Sequence, residues 1–260
     1  LCRRMCSKEF IKTLKSLPTY FHRLEQCLLP RLNSGKQTAH FFYRYFLTIV
    51  RIKDMNRKII FKGNQLTMYK AKKHIKHIYA RRIIEEENLW YWEWKSILHK
   101  LSVSSTKDWK KFHHSMMPRR KVIGVFAGLS VQKNLKDNLK LAENMCMTGD
   151  CGHMPEMKKK AKDIIYSDGT DNEIWDILNG NKIQNFYMNL MYPDDKRFVT
   201  IDRHAISIAL GRLATKKELS LTDKQYQFFS ECYKEVGQEM DLIPNFVQSI
   251  TWQAWKRIKS

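Results

Sequence analysis

No stretch of this sequence stays apolar for the roughly 20 residues that a membrane-spanning helix requires. The most apolar run, Phe41–Val50, is interrupted by Arg44 and followed by Arg51. Cys2, Arg3 and Arg4 lead into no apolar run of the signal-peptide kind. The cysteines (Cys2, Cys6, Cys27, Cys146, Cys151 and Cys232) include no tight pair at the spacing of a zinc ribbon or an iron–sulfur loop. A chain of 260 residues, 43% of them hydrophobic, needs no disulfide framework to bury a core. Its thiols therefore point to a reducing, cytoplasmic compartment. Cys146, Cys151 and His153 admit a metal contact or a polar loop with incidental thiols. The loop is the reading taken, and no metal or cofactor is expected. No internal repeat is visible.

Acidic residues are scarce where basic ones are dense. The net charge is +21, a field that attracts polyanions, nucleic acid first and acidic membrane surfaces second. Residues 1–120 hold 27 Lys and Arg against 8 Asp and Glu, and residues 121–260 hold 20 against 18. The first half reads as an electrostatic footprint and the second as an ordinary globular region.

Residues 1–75 read as a basic N-terminal extension. A short helix around Phe10, Leu14 and Leu17 ends near Pro18, Asn33-Ser34-Gly35 forms a turn, and Ala39–Val50 suits helix or strand. From residue 76 the pattern predicts an all-α domain reaching residue 260. Residues 76–103 read as one helix with Ile78, Ile83, Trp90, Trp94 and Leu98 near one face, broken at Ser104–Lys107. The Trp90-Tyr91-Trp92-Glu93-Trp94 run suits base stacking, but its spacing favours core packing. Residues 119–133 are apolar almost all round, with small Gly124, Ala127 and Gly128 allowing close helix contact. Glu173–Leu178 and a helix from about Lys182 flank Asn179-Gly180, an αα hairpin. Further helices run from Ile201 to Leu210, from Leu221-Thr222-Asp223, and from Pro244.

Three segments stand at informative spacing: Gly128-Leu129-Ser130-Val131-Gln132, the hairpin Ile177–Ile183, and Val199-Thr200-Ile201-Asp202-Arg203-His204-Ala205, with Asp202 twenty residues after Lys182. Their order resembles the helix-hairpin-helix (HhH-GPD) DNA glycosylase superfamily over roughly Val122 to Gly211. A broader likeness, from about Lys76 to Lys256, is to uncharacterised bacteriophage proteins. It rests on the first and third segments and on a terminal stretch with Gln248, Ile250, Thr251, Trp252, Ala254 and Trp255.

The resemblance implies a two-lobed helical fold, double-stranded DNA as partner, base flipping and cleavage of an N-glycosidic bond. Enzymes of that fold that modify phage DNA bases, or a non-catalytic DNA-binding protein, are the alternatives. Asp202 is the implied catalytic carboxylate; on residue type alone it is an N-cap. Lys182 matches the nucleophilic lysine of bifunctional members, although a Schiff base needs a neutral amine. Read from chemistry, Lys182 and the turn Asn179, Gly180 and Asn181 suit a phosphate. Gln132 matches a wedge that fills the gap left by a flipped base, while Arg203 suits a phosphate contact. His204 suits a phosphate contact or a structural hydrogen bond. The hairpin departs from the family pattern: it is shorter and lacks the proline and second glycine.

Overall fold

The computed structural model describes residues 53–87, 90–113 and 117–259. The expected helix near Leu14, the turn at Asn33–Gly35 and the stretch Ala39–Val50 lie outside them. A compact unit spans Lys58–Ser260. The described residues are predominantly helical, with ten α-helices and a single two-stranded hairpin in this unit.

The unit opens with β1 (Lys58–Phe61) and β2 (Asn64–Thr67), paired antiparallel with Phe61 opposite Asn64. The turn residues Lys62 and Gly63 both have positive φ, the geometry that matches the twist of a tight hairpin. Phe61 and Leu66 are buried while Ile60 is exposed, the alternation expected of a half-covered hairpin. Thr67 caps α1 (Met68–Tyr79) by accepting from the Lys70 N–H. The domain boundary expected at residue 75 thus falls inside one helix, and the compact unit begins at Lys58. α1 is lysine-rich on its outer face while Ala71, Ile75 and Ile78 are fully buried or nearly so.

The single helix expected over residues 76–103 is two. After α1 the chain turns at Ala80–Ile83 and forms a 3-10 turn at Ile84–Glu87; α2 then runs Trp90–His113, straight through Ser104–Lys107. Buried Glu86 fixes the break: it caps the Ile83 N–H and pairs with Arg257, which also donates to the Arg81 carbonyl. Serines do not stop a helix as glycine or proline does. Ser102 shows why, bonding back to the His99 carbonyl within the same helix.

The remaining helices are α3 (Arg119–Gly128), α4 (Leu135–Thr148), α5 (Pro155–Tyr166), α6 (Asp171–Leu178), α7 (Asn181–Met191), α8 (Arg203–Leu210), α9 (Asp223–Met240) and α10 (Pro244–Lys259). They form two hydrophobic cores. One gathers α2 to α7 around α3, whose Val122, Ile123, Val125, Phe126 and Ala127 are fully buried. The other gathers the hairpin, α1, α8, α9 and α10 around Phe229, Tyr233 and Val247. The chain builds the second core, leaves it for the first, and returns.

α3 lies deep because Gly124 lets its neighbours close in. A Cβ there would stand 2.9 Å from Ile174 Cγ2 on α6 and 3.2 Å from Ile164 Cγ2 on α5. Gly124→Val must push those helices apart, and overpacking of this kind costs about 1–3 kcal/mol. Chemical denaturation should show that loss with an unchanged m-value. An unchanged midpoint would mean that the two isoleucines yield without cost.

Candidate functional site

Between the cores the chain crosses by residues 192–202, ending at Asp202. Val199, Thr200 and Ile201 are buried but belong to no helix or sheet, so side chains must satisfy their backbone. Asn185 Oδ1 accepts from the Val199 N–H at 3.3 Å. The Tyr226 hydroxyl donates to the Val199 carbonyl at 2.9 Å and accepts from the Ile201 N–H at 3.1 Å. The Asn189 amide, oriented by its partners, donates to the Phe198 carbonyl and accepts from the N–H and hydroxyl of Thr200. Tyr91 donates to Gln248 Oε1 at 2.8 Å, tying α2 to α10 across the same seam. Burial drives the Tyr91, Tyr226 and Tyr233 phenols well above their ordinary range, with the Asp202 charge adding to the rise, so all three stay neutral.

Asp202 is the N-cap of α8, as its context predicts. Its Oδ1 accepts from the His204 N–H at 3.0 Å and the Ala205 N–H at 2.8 Å. The second oxygen takes no hydrogen bond or ion pair from the described residues. Arg203 turns aside and donates from Nε to His204 Nε2 at 3.2 Å, which leaves the imidazole proton on Nδ1. Half-buried His204 meets the edge of Trp252 on α10, with ring centroids 6.2 Å apart. Burial pushes the imidazole below its usual value; the Asp202 charge opposes this, and Arg203, Lys256 and Lys182 reinforce it. Lys182, at the second position of α7, is therefore within electrostatic reach of the Asp202 turn.

The hairpin of α6 and α7 turns in two residues, Asn179 at φ 41° and Gly180 at φ 135°. Gly180 takes a backbone angle that a side chain would strain, and the space around it is open. α7 begins without a capping side chain, so no cap occupies its first N–H groups. Asn181 instead reaches α9, donating to Asp223 Oδ1 at 2.7 Å.

Asp202, Arg203, His204 and Lys182 thus share one locality. Gln132 makes no hydrogen bond, ion pair or ring contact with any of them among the described residues. It is exposed in the turn after α3, at φ 57°. In the aromatic run, Tyr91 is buried, Trp94 stacks on Phe126 at 5.3 Å, and Trp90 lies 5.9 Å from Trp252. Sequence reasoning gave Trp252 and Lys256 no role; their i, i+4 spacing, which lays the ammonium over the ring, was the signal. Cys146, Cys151 and His153 do not bring three ligand atoms together. Burial, chiefly, and the neighbouring Cys151 push the Cys146 thiol up to about 12. A shallow hollow of about 430 Å³ lies elsewhere, against Arg82, Ile83, Ile84 and Glu85. Among the described residues no helix is long and apolar enough to cross a membrane.

The structure thus defines a helical protein with a carboxylate-bearing junction between two cores. Residues 62–259 match a single family model, and the chain belongs to that family, described as a family of unknown function (DUF7178). No curated protein matches it, and no solved structure does.

The depressed imidazole makes stability depend on pH. Unfolded, His204 takes up a proton near 6.5; folded, it does so only at lower pH. Its contribution is complete above about pH 6.5 and is lost as pH falls toward the folded value. His153, also depressed chiefly by burial, acts with the same sign. Melting temperatures of wild type and His204→Gln should therefore converge below pH 6.5, the variant losing less on acidification. Parallel curves would place His204 in water.

Proposed function

We propose that this chain is a DNA-binding enzyme of the helix-hairpin-helix glycosylase type, which flips a modified or damaged base from duplex DNA and cleaves its N-glycosidic bond with Asp202. The observation that carries the reading is the divided Asp202 carboxylate, with one oxygen committed to capping α8 and the other without a partner among the described residues. Asp171 and Asp195, also half-buried, use both oxygens: Asp171 accepts from Tyr187 and Tyr192, and Asp195 accepts from Arg197 on each; Glu231, like Asp202, uses one. A cap requires one oxygen. The second is available to a cation that forms during reaction.

In the reaction the C1′–N bond breaks and its electron pair leaves with the base. The sugar becomes cationic, and a fixed carboxylate stabilises it. Water adds to C1′ and gives up a proton to Asp202, which passes through solvent to the departing base anion and restores the carboxylate. The products are free base and an abasic site. The surroundings suit this substrate. A helix start without a cap, an exposed lysine and an open Gly180 favour a phosphate. The alternation of cores puts Asp202 at a junction, where ligand sites commonly form. Gln132, exposed at a positive φ in the turn that the Lys133 N–H closes on the Ser130 carbonyl, suits a wedge.

The test is a panel of duplexes carrying modified bases, scored for released base and abasic sites. Asp202→Asn keeps a capping oxygen but loses the charge, so turnover should fall about 10²–10³-fold while duplex affinity stays within about twofold. A variant as active as wild type would reduce Asp202 to a cap. A base altered yet retained would assign the chain to base modification, and binding without turnover on every duplex to DNA binding alone.

Lys182→Ala should weaken duplex binding more than it slows chemistry, and should lower the salt dependence of binding by about one unit of log affinity per log salt. Borohydride trapping of a covalent DNA adduct in wild type, absent from this variant, would make Lys182 the nucleophile instead.

A further inference from the structure

Trp252 stands beside Asp202 without a role in the chemistry above. Half-buried on α10, it is backed by Trp90, with ring centroids 5.9 Å apart, and meets the His204 ring at 86°. Those two neighbours are packed against the cores. The third is Lys256, one turn further along α10, whose ammonium lies 4.4 Å from the Trp252 ring centroid. Lys256 is exposed and forms no ion pair among the described residues, in contrast to Lys72 and Lys76, which both pair with Glu239. An exposed ammonium over a ring is weakly held and changes rotamer readily. Moving this one side chain would uncover an indole face, joined to the Asp202 turn through His204.

We propose that Trp252 is the platform on which an unpaired DNA base stacks at the Asp202 site, and that Lys256 leaves the ring to hold a neighbouring phosphate when the base arrives. Every base has a π-face and tryptophan offers the largest surface to stack on, so the platform recognises unpaired bases as a class rather than one sequence. Lys256 covers the ring in the free protein and carries the charge that the phosphate needs, so one residue serves both states. His204 orients the arrangement, touching Trp252 through its ring and Asp202 through its backbone N–H. The inference rests on the reading of Asp202 as part of a DNA site, but not on base excision.

The experiment is binding by fluorescence anisotropy to three probes: a mixed-sequence single strand, a fully paired duplex, and that duplex with one unpaired base at its centre. Trp252→Ala should lose about tenfold or more in affinity for the single strand and the bulged duplex, and stay within about twofold on the paired duplex. Trp252→Phe should recover most of the loss. Lys256→Met should lower the salt dependence on the bulged duplex by about one unit. Equal losses on all three probes, no loss on any, or an unchanged salt slope in Lys256→Met would overturn the proposal. Lys256 is exposed, so its variant decides the matter even if Trp252→Ala melts early. Preference for the unpaired base with no base released from any duplex would remove the excision chemistry and leave this inference standing. Excision at wild-type rate and affinity in Trp252→Ala would remove this inference alone.

Discussion

A buried segment without regular structure is the constraint on which the rest depends. Residues 199–201 pass between two hydrophobic cores, and an unpaired backbone group there costs about 1–3 kcal/mol. Tyr226 answers one donor and one acceptor with a single hydroxyl, and Asn185 and Asn189 supply the rest. Because these partners come from both cores, the segment has one conformation only when both cores are formed. Asp202 follows immediately, so the position of its carboxylate reports the mutual fit of α7, α9 and α10. A site built this way is preorganised by folding itself, as a catalytic carboxylate requires.

Electrostatics then separates structural ions from available ones. The inner ion pairs are closed: Glu218 is held by Arg212 and Thr215, and its carboxyl is pulled down to about 2 mainly by the arginine. Glu86 is closed by Arg257, and Asp171 by two phenols and Arg120. Around α8 the pattern reverses. Arg203 bonds a neutral imidazole, Lys256 lies on a ring, and Asp202 keeps one oxygen free. Cations that forgo a nearby carboxylate leave a surface that is positive outside and negative at one point within. A polyanion carrying a centre that turns cationic matches that distribution.

The helix ends were legible because their chemistry is local. Asp202 as a cap, Gly211 as a left-handed stop, Pro244 as an opening residue and the turn at Asn179-Gly180 each follow from a few adjacent residues. The break between α1 and α2 was not legible, because Glu86 and Arg257, which enforce it, are 171 residues apart. The break expected at Ser104–Lys107 failed for the opposite reason: polar residues were read as a stop although nothing in their backbone requires one. Asp202, Arg203, His204 and Lys182 were found together because two helix starts carry them. Trp252 was missed because its neighbours Trp90 and His204 lie far away in sequence and only folding joins them.

The two-residue hairpin between α6 and α7 is held from a third helix. A two-residue turn with Asn179 at positive φ ends α6 and leaves its last carbonyls without helical partners. Lys160 on α5 fills that space, its ammonium 2.9 Å from the Leu178 carbonyl and 3.4 Å from that of Asn179. Glu156, one turn back on α5, steadies the same lysine. Because Lys160 belongs to a neighbouring helix, it ties the turn to α5. The start of α7, beside Lys182, has no capping side chain and is open to water or an anion. Thus α5 holds the hairpin by its carbonyls, while the Gly180 carbonyl takes the Ile183 and Gln184 N–H groups and the first two N–H groups of α7 face outward without a cap.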